Sequence, residues 1–95
     1  MRKAMRQAAK VDANQKDIVD ALRKCGFQVE IIGKPVDLLI HSRLGTALME
    51  VKNPDAGWRL TKDQVEFIAR WPGPIHIVKN VQEALTSAIG AEWMR

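Results

Sequence analysis

The chain has 95 residues and a mass of 10.7 kDa, enough for one domain with a single modest core and too little for two. Hydrophobic residues at 46% and charged residues at 27% exclude wholesale disorder. A lone cysteine, Cys25, excludes an intrachain disulfide and a cysteine-rich zinc module. The net charge of +4 sits wholly in residues 1–10, where Arg2, Lys3, Arg6 and Lys10 meet no acid. Such an arm suits a phosphate backbone, whose neutralised charges release counterions. A solvated terminus or an amphipathic transit segment has the same composition. No apolar run reaches the ~18 residues of a membrane span, and the basic start lacks the apolar stretch of a secretory signal.

In chain order, residues 1–11 form the basic arm, residues 12–90 one domain and residues 91–95 a tail. Asp12 can cap a helix running to about Cys25, with Ile18, Val19, Leu22 and Cys25 on its apolar stripe and Gly26 beyond its end. Phe27–Ile32 alternates apolar and polar residues, which predicts a strand with one wet face. Gly33-Lys-Pro35 turns the chain into a second strand, Val36–His41, apolar except for Asp37. Ser42–Gly45 turns it again into a third strand, Thr46–Lys52, which Pro54 ends. Thr61-Lys-Asp-Gln64 has capping-box spacing and opens a helix with Val65, Ile68 and Ala69 as its buried stripe, Phe67 and Trp71 beside it. Ile75–Val78 is a short strand, and Asn80–Glu83 caps a last helix with Val81, Ala84, Leu85, Ala88 and Ile89 on its apolar face.

The order α-β-β-β-α-β-α predicts an α/β fold. Short turns make the first three strands an antiparallel meander. The helical crossover makes the third and fourth parallel. The result is a mixed four-stranded sheet flanked by helices.

Charged groups inside a small sheet need a reason, because a buried unpaired carboxylate costs several kcal/mol. Period two puts Glu50 and Lys52 on one face of their strand. A hairpin around Gly45 that pairs Asp37 near Glu50 brings the two carboxylates together. Two hard oxygen ligands with room for water suit Mg²⁺ or Mn²⁺, and the carbonyl of Val51 can add a third oxygen. Lys52 beside such an ion could orient or deprotonate water, or neutralise charge on a phosphoryl transition state. The bland alternative is a cross-strand ion pair on a wet sheet face.

Pro35-Val-Asp37, then Glu50-Val-Lys52, then Leu60-Thr-Lys-Asp-Gln64 resembles the VRR-NUC branch of the PD-(D/E)XK nuclease superfamily over about residues 12–86. The resemblance implies a restriction-endonuclease-like core and a metal-dependent DNA endonuclease. Asp37 and Glu50 would bind metal, Lys52 would be the catalytic lysine and Gln64 would help set the site. It also implies four-way or branched DNA as substrate, a homodimer, and a cytoplasmic setting in a bacterium or a virus-infected host cell. One departure concerns the metal. Related sequences carry a glutamate early in the first helix as a further ligand, where this chain has Gln15. A neutral amide binds metal more weakly than a carboxylate. That favours an alternative, a catalytically weakened nuclease fold that holds DNA or a protein partner.

Gln64 is also explained by the capping box alone. His41 and His76 read as structural, and Cys25 as core. Trp58 and Arg59 lie in the loop beside the expected site, where they can stack on a base or grip a phosphate. Lys34, Arg43 and Lys62 are candidates for the same rim.

Overall fold

The computed structural model describes residues 14–53 and 59–90. Helix α1 covers 14–24 and is followed by β1 (Gln28–Ile31), β2 (Leu38–Ser42), β3 (Gly45–Val51), α2 (Lys62–Arg70), β4 (Ile75–Val78) and α3 (Val81–Gly90). The sheet order is β1-β2-β3-β4, antiparallel across the first two pairings and parallel across the third. The α/β class, the element order and the mixed four-stranded sheet flanked by helices are as the sequence predicts. The arm at 1–11, the tail at 91–95, Asp12 and Trp58 lie outside the described residues. No helix among the described residues is long and apolar enough to cross a membrane.

One face of the sheet carries the main core. Ile18, Val19 and Leu22 of α1 and Ala84 and Ala88 of α3 pack with Val29, Leu38, Ile40, Ala47, Met49 and Val78. Strand alternation sends Leu48, Glu50 and Lys52 to the other face. Leu48 and Glu50 are both buried there, outside the main cluster.

All three helices depart from expectation at an end or on a face. Cys25 is exposed rather than core. The N–H of Gly26 donates to the carbonyl of Arg23 at 3.0 Å and that of Phe27 to Leu22 at 3.1 Å, with Gly26 at φ 96. This Schellman closure turns Phe27, not Cys25, back onto the helix, and Phe27 is buried. In α2 the expected stripe is rotated: Val65 is 52% exposed and Ala69 is exposed, while Gln64 is buried and Phe67, Ile68 and Trp71 are partly so. The inward positions are thus 64, 67, 68 and 71, a helical stripe one residue out of phase with the apolar one. The polar contacts of Gln64 account for the rotation. In α3, Ile89 is 61% exposed and the inward face is Ala84 and Ala88 with Val81 and Leu85.

Candidate active site

The site lies where the meander meets the end of the parallel pair. The β2–β3 register sets Leu38 against Met49, so Asp37, one residue before β2, comes opposite Glu50. The Asp37 N–H donates to Glu50 Oε1 at 3.2 Å, and the Val51 N–H donates to Asp37 Oδ2 at 2.8 Å. In a strand a residue's N–H and C=O point to the same side, so the Val51 carbonyl opens toward Asp37 as well. Lys52 Nζ lies 3.0 Å from Glu50 Oε2 and donates to Gln64 Oε1 at 3.1 Å. Asp37, Glu50 and Lys52 therefore converge in space.

Gln64 joins three segments. Its Oε1 accepts from Lys52 Nζ and from the Thr61 N–H, and its Nε2 donates to the carbonyl of Pro35 at 3.2 Å. The capping box is present in full, since the Gln64 N–H also donates to Thr61 Oγ1. The capping reading of this residue is present in the structure. The amide that caps α2 also holds the lysine and the loop leading to Asp37.

The electrostatics follow from burial. The side chains of Lys52 and Glu50 are 14% and 6% exposed. Burial pushes the Asp37 carboxyl from its ordinary 3.8 up to about 6. The Val51 N–H opposes this by holding the carboxylate form, and Lys52 does so weakly through its charge. The charge of Glu50, and a hydrogen bond with it, push the same way as burial. The Asp37 carboxyl is thus held toward its protonated form beside a second carboxylate that is ion-paired to Lys52. No group of three or more His, Cys, Asp or Glu among the described residues could hold a metal. The oxygens here that could meet a cation are two carboxylates and neutral groups, a donor set that would suit a hard divalent ion with retained waters.

The remaining candidates divide by position. Gln15 is buried on α1. Lys34, Arg59 and Lys62 are exposed on the segments that lead to Asp37 and into α2. Lys34 lines a cleft of about 490 Å³ with Gly33, Pro35, Thr61, Asp63 and Gln64. Arg43 is in the β2–β3 turn, at the opposite end of β3 from Glu50, about 16 Å away at strand rise. There it lines a separate hollow with Cys25, Phe27 and Leu44, so it does not rim the site. His41 is at that same end, its Nδ1 2.7 Å from Thr46 Oγ1. His76 is half-buried on β4. A larger hollow of about 620 Å³ between β4 and α3 holds none of the candidate residues.

Two contributors are not legible in the sequence. One is the Pro35 carbonyl, a backbone group that no side-chain pattern reveals. The other is Asn14, whose Nδ2 donates to the carbonyls of Lys52 and Lys79 at 3.3 and 3.0 Å. An asparagine early in a helix reads only as a cap. No family model, no curated protein and no solved structure matches the chain.

Proposed function

We propose that the chain is a divalent-metal-dependent DNA endonuclease with a restriction-endonuclease-like core, selective for branched DNA such as a four-way junction and active as a homodimer. The observation that carries this reading is the convergence of Asp37, Glu50 and Lys52, with Gln64 bonded to the lysine. Asp37, Glu50 and the Val51 carbonyl would hold Mg²⁺ or Mn²⁺, with Gln15 a further neutral ligand. Such an ion supplies Lewis-acid charge to the phosphoryl group. Lys52 Nζ orients the attacking water and balances the negative charge that grows at phosphorus, while Glu50 and Gln64 fix its direction. Lys34, Arg59 and Lys62, with Arg2, Lys3, Arg6 and Lys10 of the arm, offer contacts to the phosphate backbone, and Trp58 a stacking surface. A single small domain presents little surface to DNA, and a two-fold dimer gives two sites for two strands.

The test compares cleavage of a labelled four-way junction and a linear duplex of the same sequence, each with Mn²⁺, Mg²⁺ or EDTA. Metal-dependent cutting that favours the junction is the expected result. A salt-sensitive shift without cutting would establish the second reading, a weakened nuclease fold that holds DNA. The neutral Gln15 and the two-carboxylate ligand set favour that second reading. Gln15→Glu separates the two. It is expected to tighten Mn²⁺ on the order of tenfold, measured by titration calorimetry, because a third carboxylate adds ligand charge. An unchanged affinity would mean that residue 15 does not reach the ion.

A further inference from the structure

We infer that Asn14 is the positioning residue for Lys52, clamping the ends of β3 and β4 so that the lysine meets Glu50 and Gln64. This rests on the reading of Lys52 as the acting group of the site.

The two parallel strands stop pairing at Val51 and Val78. The last bond between them runs from the Lys52 N–H to the Val78 carbonyl at 2.8 Å. Beyond it the carbonyls of Lys52 and Lys79 emerge side by side, where the ladder no longer fixes them. Asn14 Nδ2 meets both, at 3.3 and 3.0 Å. A primary amide nitrogen carries two N–H donors, a hydroxyl one and a carboxylate none, so an amide side chain suits this task. With both bonds made, Lys52 is held at its N–H by β4 and at its C=O by α1.

The clamp matters because of what Lys52 must do at its other end. Its Nζ has to satisfy Glu50 Oε2 and Gln64 Oε1 together, at 3.0 and 3.1 Å. A long side chain reaches two fixed acceptors only from a fixed Cα. Lys52 lies just past the last residue of β3, where a strand end frays first. Asn14 removes that freedom from the face of the sheet opposite the lysine side chain. It bonds neither the carboxylates nor Nζ, so it acts through the backbone of Lys52 and Lys79.

The test uses the full chain labelled with nitrogen-15 lysine, compared as native protein, Asn14→Leu and Asn14→Ser. Leucine keeps the size and removes both donors, and serine keeps one. The readout is the Nζ–H correlation of Lys52, assigned by its absence in Lys52→Arg and visible because that ammonium is sheltered from water. In Asn14→Leu this correlation is expected to vanish into solvent exchange, while the methyl signals of Ile18 and Leu22 stay in place. Junction cleavage in Mn²⁺ should fall at least tenfold in kcat with KM within about twofold, and Asn14→Ser should lie between. An unchanged Lys52 correlation in folded Asn14→Leu would overturn the inference. So would losses in both variants that merely track the unfolded fraction. If the native chain cuts no DNA, the nuclease reading fails, and the Lys52 correlation still decides the role of Asn14.

Discussion

Lys52→Ala is expected to lower metal-dependent cleavage by about 10²–10⁴-fold, the range for removal of a positioned proton-transfer group. The same substitution is expected to destabilise the protein by about 3–5 kcal/mol in EDTA, because it strands a buried charge. The two losses have separate causes. The rate falls because no ammonium faces the phosphoryl group. Stability falls because Glu50, 5% exposed, loses the cation at 3.0 Å and keeps the Asp37 N–H at 3.2 Å. The double variant Lys52→Ala/Glu50→Gln separates them. Neutralising Glu50 should restore most of the stability and none of the activity, read by chemical denaturation beside the cleavage assay. If the single variant were as stable as the native chain, the ion pair would contribute nothing net to the fold, and Glu50 would be held by its other contacts.

The second large effect is a reversal in how stability responds to pH. The folded-state value of about 6 for Asp37 lies above its ordinary 3.8. A raised carboxyl contributes stability that is fully present below 3.8 and is lost as pH rises through 6. Without metal, this group makes the chain melt at a higher temperature near pH 5 than near pH 7. Metal reverses the sign, because a ligand carboxyl must first lose its proton. Mn²⁺ affinity is expected to fall about tenfold for each pH unit below 6, as one proton competes for the site. At a hundredfold excess over its dissociation constant, the ion adds about 2.7 kcal/mol. At the same Mn²⁺ concentration, the shift in melting temperature should therefore be about twice as large at pH 7.5 as at pH 5. An equal shift at both would mean that Asp37 does not bind the ion.

Much of the fold was legible because its signals are local. The strand pattern of Phe27–Ile32, the short turn at Gly45 and the capping spacing of Thr61 to Gln64 depend on neighbouring residues, and all appear in the structure. The convergence of Asp37 and Glu50 was legible for the same reason, since a tight hairpin fixes its register. What escaped depends on distant contacts. The apolar stripe of α2 points to Val65, yet bonds from Gln64 to Lys52 and Pro35 decide which side turns inward. Helix periodicity runs on through Cys25, but the Schellman closure sends Phe27 inward instead. Arg43 is basic and near in sequence to Asp37, but a strand carries it to the other end of the sheet. Asn14 acts on carbonyls 38 and 65 residues away, and no window along the chain spans that.

The bond between Lys52 and Gln64 closes a loop of the chain, since the two residues are 12 positions apart. Everything between them is bracketed by residues whose places are set by strand β3 at one end and helix α2 at the other. Doubling the length of such a loop costs only about 0.6 kcal/mol in closure entropy. The segment from Asn53 to Leu60 can thus be lengthened or exchanged without moving the lysine. On the proposed nuclease reading, reaction and selection of DNA are separable in this architecture. A loop graft there should change which nucleic acid is engaged and leave the chemistry in place.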